Sequence, residues 1–123
     1  DWDIKLTVVS ESFYSSGQGS ACPNVIILRD NVFSMVSDTV TPQGMLAVIG
    51  KRAYSYNDIK AANPLLVIAH NLQDPGNMGT LIRTADAAGA AGVIVSGGSV
   101  DIYNPKVVRA TAGSILNIPI IHD

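Results

Sequence analysis

The sequence predicts an α/β protein in which a small mixed α/β unit precedes a parallel sheet covered by helices. Three observations predict it. Apolar runs such as LLVIA (Leu65 to Ala69) and GVIV (Gly92 to Val95) are short enough for buried strands rather than helices. Between and after them lie segments of helical spacing, PGNMGTLIRTADAAGA and NPKVVRATAGSI, each opened by proline and closed near glycine. The order strand, helix, strand, helix, strand with short connections calls for parallel pairing. Right-handed crossovers then place both helix N-termini at the carboxyl edge of the sheet, where functional side chains collect.

The elements follow in order. Ile4, Leu6 and Val8 alternate with Lys5 and Thr7, which predicts a strand over Asp3 to Val9. The Gly/Ser-rich ESFYSSGQGSACPN reads as a helix end and loop. Asn24 to Leu28 is a second strand, and Asp30 or Asn31 can cap a short helix through Val32, Phe33 and Val36. A turn at TPQG leads to a third strand, Met45 to Ile49. GKRAYSYNDIKAANP then loses periodicity and suits a surface connection, which divides the chain into 1–50, a linker at 51–63 and a second unit at 64–123.

Bulk composition narrows the function. With 123 residues, 47% hydrophobic and 15% charged, the chain can bury one modest core or two small ones. Its longest apolar runs, VIIL and LLVIA, fall far below the ~18 residues of a membrane-spanning helix. DWDIKLTVV lacks a basic region followed by a long apolar stretch, so the expected location is cytoplasmic. Cys22 is the single cysteine, which excludes an internal disulfide and argues against structural zinc. No metal is expected. A formal net charge of −2 argues against bulk electrostatic grip on nucleic acid, so any RNA contact must be local. The longest run of cations is the pair Lys51 and Arg52.

In the first helix of the second unit, Met78, Leu81, Ile82, Ala85, Ala88 and Gly89 form the stripe expected to face the sheet. Arg83 lies off that stripe, and Gly79, four residues earlier, is expected to leave space beside it for a ligand. Asn77, at the helix entrance, either caps backbone N–H groups or turns towards a bound group; Arg83 either meets a ligand or pairs with Asp86. Asp74, before Pro75, reads as shaping the turn. The second helix starts at Asn104 as N-cap with Pro105 at the first position, and Gly113 is expected to close it. Lys106 and Arg109 share one face, suited to a phosphate or to plain solvent. His70 and His122 are single imidazoles without partners at ligand spacing. Neither GxGxxG nor GxxxxGK[ST] spacing occurs at Gly76 and Gly79, so a nucleotide-binding α/β domain is poorly supported.

DPGNMGTLIRTADAAG and IYNPKVVRATAGS together resemble the opening of the catalytic domain in SpoU/TrmH-type RNA 2′-O-ribose methyltransferases of the SPOUT superfamily. FSMVSDTVTPQGMLAVI resembles the end of the ribosomal-protein-like α/β domain that many members place before it to bind RNA. The resemblance implies a Rossmann-like half of a SPOUT domain, with the knot-forming part and the S-adenosylmethionine pocket lying in later motifs outside this chain. It implies that Asn77 and Arg83 belong to the active site, that ribosomal or transfer RNA is the partner, and that the parent enzyme is a homodimer. Lys106, Arg109, Lys51 and Arg52 become the candidate RNA contacts. Because a guanidinium is a donor-only group and a poor proton acceptor, Arg83 is better read as orienting the ribose hydroxyl and a neighbouring phosphate than as a base. The chain alone is expected to be inactive. The competing expectation is a non-catalytic RNA-binding module.

Overall fold

The computed structural model describes residues 2–19, 21–60 and 62–123. Ser20, within the expected first loop, and Ala61, within the expected linker, lie outside the described residues, as does Asp1. The chain divides into two compact units, Asp1–Arg52 and Ala53–Asp123.

In the first unit, β1 (Ile4–Ser10) is the central strand of three, parallel to β2 (Val25–Leu28) and antiparallel to β3 (Met45–Ile49). Alternation explains β1 only in part, since Thr7, Val8, Val9 and Ser10 are all buried. Thr7 tolerates this because its hydroxyl donates to the Pro23 carbonyl at 2.9 Å. The outer strands are less covered: Ile26, Ile27, Met45 and Val48 are exposed.

Two short helices complete the unit, and their caps differ from the sequence expectation. A helix, α1 (Glu11–Ser15), starts directly after β1, in the segment read as helix end and loop. In α2 (Asp30–Val36), Arg29 occupies the cap position without a side-chain cap bond, and Asp30 is already helical. The Asp30 carboxylate serves α1 instead: its Oδ1 accepts from the Ser12 N–H at 3.1 Å and the Ser12 hydroxyl at 2.9 Å. The local pattern could not reveal this, because the acceptor comes from a segment eighteen residues away.

In the second unit, β5 (Gly92–Val95) lies between β4 (Leu66–Ala69) and β6 (Ile120–His122), with all pairs parallel. A 3₁₀ turn at Tyr56–Asp58, closed by a capping box between Ser55 and Asp58, precedes the sheet. The crossovers carry α3 (Pro75–Ala87) and α4 (Pro105–Ala110). Met78, Ile82, Val93, Ile102 and Val107 are fully or almost fully buried and form the centre of the core.

The end of α3 corrects the expected stripe. Ala88 and Gly89 are exposed because they form the helix stop, with Gly89 at φ 70°. The Gly89 N–H donates to the Asp86 carbonyl and the Ala90 N–H to the Ala85 carbonyl, the paired bonds of a Schellman motif. The second helix likewise stops before Gly113. Thr111 is the cap, and Ala112 (φ 50°) and Gly113 (φ 96°) turn left-handed into a 3₁₀ turn at Ser114–Leu116.

Gly79 does not open space for a ligand; α4 fills that space. A Cβ built on Gly79 would overlap the Ala110 methyl, and would lie 2.9 Å from the Ala110 carbonyl carbon and 3.0 Å from the Val107 carbonyl oxygen. Backbone cannot yield as a flexible side chain does, so the two helices would have to separate.

Two outcomes follow. Gly79→Ala should destabilise the fold by about 1–3 kcal/mol in urea denaturation, although helix propensity alone favours alanine by about 1 kcal/mol; a net gain would refute the tight contact. Hydrogen bonds first from the Ser12 backbone and then from its hydroxyl hold the Asp30 carboxyl below the usual carboxylate value. A depressed folded value means that the α1 tether is complete above an unfolded value of about 3.9 and is lost as pH falls through the lower folded value. The Ser12 amide resonance should therefore titrate with a midpoint below that of an unstructured aspartate.

Candidate functional site

The chemistry-bearing residues of the second unit gather on α3, on α4 and along the carboxyl edge of the sheet. The turn into α3 is set by Asp74. Its Oδ1 accepts the Asn77 N–H at 2.7 Å, which makes Asp74 the N-cap, and Pro75 follows at the first helical position. Asp74 therefore does more than shape the turn, and capping is not the role of the Asn77 side chain. Asn77 is exposed, and its amide makes no hydrogen bond among the described residues.

Arg83 is also exposed, without an ion pair or hydrogen bond among the described residues, so the pairing with Asp86 does not form. Asn77 and Arg83 are six residues apart, which places them about 9 Å apart along the axis and about 120° apart around it. They do not share a face. Asn77 lines an open cleft of ≈ 370 Å³ with Thr80, Leu81, Thr84 and Ala88 of α3 and Val67 of β4. Arg83 instead stands one turn beyond Gly79, on the side of α3 that meets α4.

In α4, Asn104 Oδ1 accepts the Lys106 N–H at 2.9 Å, and the expected N-cap and Pro105 start are both present. Lys106 and Arg109 are exposed, while Val107 and Thr111 are buried. Thr111 is satisfied by donating to the Val108 carbonyl at 2.7 Å. Because Arg109 precedes Ala110, Arg83 and Arg109 come from the two segments that meet at the Gly79 crossing. Before α4, burial first and Asp101 second push the Tyr103 phenol above its ordinary value, so it remains a protonated hydroxyl at neutral pH.

Lys51 and Arg52 lie at the end of the first unit and are exposed. The Arg52 guanidinium sits 4.8 Å from the Trp2 ring centroid, a cation–π geometry. They stand in a different unit from Asn77, Arg83, Lys106 and Arg109.

At the sheet's carboxyl edge His70, read from the sequence as a single imidazole, finds a side-chain partner. His70 Nδ1 and Ser96 Oγ are 2.8 Å apart, and the Ser99 hydroxyl oxygen accepts the Leu72 N–H at 3.1 Å. Asn71 is left-handed at φ 50°, and its Oδ1 lies 2.8 Å from where a Gly98 Cβ would stand, so glycine at 98 lets the two loops close. The SGGS string after a buried strand is the sequence signal for this edge. Among the described residues no group of three or more metal-ligating side chains occurs, and no helix is long and apolar enough to cross a membrane.

Residues 64–123 match the SpoU rRNA Methylase family. This part of the chain belongs to that family. The human mitochondrial rRNA methyltransferase 3 is 41% identical over 92 residues, covering 71% of this chain and 22% of that protein. The 23S rRNA (guanosine(2553)-2′-O)-methyltransferase RlmP of Bacillus subtilis (strain 168) is 38% identical over 95 residues, covering 77% of this chain and 37% of that protein. The AdoMet-bound rRNA methyltransferase from Sinorhizobium meliloti superimposes with a TM-score of 0.81 at 33% identity, over 98% of this chain and 47% of its own. The chain thus spans less than half the length of each of these relatives.

The geometry separates structural from available groups on α3. Asp74→Ala should cost about 1 kcal/mol, within the 0.5–2 kcal/mol range of a lost N-cap. Asn77→Ala should change stability by less than about 0.5 kcal/mol. Thermal denaturation of the two variants checks the contrast; equal losses would mean that Asn77 also holds the helix.

Proposed function

We propose that the chain is part of an S-adenosylmethionine-dependent ribose 2′-O-methyltransferase acting on ribosomal RNA. The observation that carries this reading is the exposure of Asn77 and Arg83, both unengaged, within the segment that matches the SpoU family. A structural arginine would be paired or packed. The guanidinium of Arg83 presents five donors in a planar fork, suited to a phosphate oxygen and the 2′-hydroxyl beside it. In this role it orients the hydroxyl and stabilises developing negative charge while the proton leaves to another acceptor.

Asn77, with one amide donor group and one carbonyl acceptor, orients the nucleotide from the next side of the helix. Lys106 and Arg109 on α4 supply phosphate contacts close to the Arg83 side of α3, and Lys51 and Arg52 supply contacts from the first unit. Residues 1–50 act as the substrate-binding portion. S-adenosylmethionine supplies the methyl group. At the sheet's carboxyl edge the His70, Ser96 and Ser99 side chains are engaged with one another or with backbone, and no buried side-chain polar atom among the described residues lacks a partner. No residue of this chain is therefore assigned to the cofactor.

The test uses the protein that contains this chain. Arg83→Ala should lower methyl incorporation into ribosomal RNA by about 100-fold or more, with circular dichroism unchanged. Arg83→Lys should recover only part of the loss, because an ammonium keeps the charge without the fork. Turnover that survives Arg83→Ala would remove the residue from the reaction.

A further inference from the structure

A second cleft, of ≈ 340 Å³, lies wholly within the first unit, at the carboxyl ends of β1 and β2. Ser12, Phe13, Asp30, Phe33, Ser34 and Gln43 contribute to its walls. None of its lining residues is cationic, and Asp30 brings the one formal charge. An anionic ligand such as a phosphate would meet repulsion there, not a counter-charge. The cleft instead combines aromatic rings with hydroxyl, amide and carboxylate groups, the set that receives a flat, neutral, donor-bearing molecule.

The aromatic wall is held in place. Gly44 (φ 88°) packs against Phe13 so closely that a Cβ there would fall 2.7 Å from the Phe13 Cβ and 3.0 Å from its ring. Gly19 closes on the same ring, where a Cβ would sit 3.3 Å from Cε1. Phe33 is 3% exposed and anchors α2 behind the cleft. The polar wall is equally fixed. Both hydrogen bonds from Ser12 fall on Asp30 Oδ1, which orients the carboxylate and leaves Oδ2 as an acceptor.

We propose that this cleft receives one unpaired guanine of the RNA, stacked on Phe13 and read along its Watson–Crick edge by Asp30 and Gln43. Unstacked bases are recognised by aromatic stacking together with edge hydrogen bonds. Guanine offers its N1–H to the open Oδ2, and its O6 accepts from an amide such as that of Gln43, whereas adenine presents an acceptor at N1. Uracil presents a single N3–H between two carbonyls that an acceptor-only group repels. Arg29, the exposed residue before Asp30, is available to a flanking phosphate. The inference rests on RNA being the substrate, as proposed above.

The experiment titrates this chain with heptaribonucleotides UUUXUUU, where X is guanosine, adenosine, uridine or an abasic site, following fluorescence anisotropy and the Phe13 and Ser34 resonances. The guanosine oligomer should bind about 10-fold more tightly than the abasic one, the range of one stacked base, and shift both resonances. Asp30→Asn keeps an acceptor for Ser12 but adds a donor, and should erase the preference for guanosine over adenosine. Gln43→Ala, at an exposed position, should weaken guanosine binding without changing the melting temperature. Equal affinity for guanosine and abasic oligomers, a preference that survives Asp30→Asn, or no binding of any oligomer would each overturn the proposal. Methyl transfer measured in parallel on the protein containing this chain keeps the two readings apart. Transfer without a guanosine preference removes the base cleft alone, whereas a guanosine preference without transfer removes the methyltransferase reading and leaves the cleft.

Discussion

The contact of Gly79 with Ala110 is the constraint around which the second unit is arranged. It brings the backbones of α3 and α4 together, in the core where Met78, Ile82 and Val107 are completely buried. A side chain at position 79 would wedge the helices apart and uncover that core. The crossing also decides which residues remain outside. Arg83 emerges one turn beyond it on α3, and Arg109 flanks it on α4. A requirement of packing thereby sets the positions of both guanidinium groups.

Much of this unit was legible in the sequence because its signals are local. The strand runs at Leu65 to Ala69 and Gly92 to Val95, and the Asn104-Pro105 start, each depend on neighbours a few residues away. The expected burial of the first run fails, however: β4 is an edge strand, and Leu65 just before it and Ile68 within it are exposed. The misreadings concern relations across distance. Nothing near Gly79 announces that Ala110 occupies its missing side chain, so an empty position looks like room for substrate. Asp74 and Asn77 are both competent helix-entry residues, and only the backbone path shows that Asp74 reaches the free N–H. Asp30 has the composition of a cap for its own helix and acts on another.

The candidate site was legible in part for the same reason. That Arg83 leaves the core stripe follows from helical spacing. That Asn77 opens to a cleft with Thr80 and Thr84, about a third of a turn from Arg83, requires the helix to be seated on β4. The first unit was harder to read. Its outer strands expose isoleucine, methionine and valine, so hydrophobic alternation there does not report burial. Its main polar relation, Asp30 to Ser12, spans two crossover segments.

The nearest-neighbour order of the second sheet bears on how the chain acquires its structure. β4 pairs with β5 and β5 with β6, so each new strand docks on the one made just before it, through a single helix-bearing crossover. Among the described residues these pairings each span one crossover, which keeps their loop-closure entropy low for parallel strands. During synthesis β4, α3 and β5 can close while α4 is still emerging, and the arrival of Ala110 against Gly79 locks what has already formed. The strand order thus allows the α3 segment that carries Asn77 and Arg83 to take its shape ahead of the helix that fixes its place.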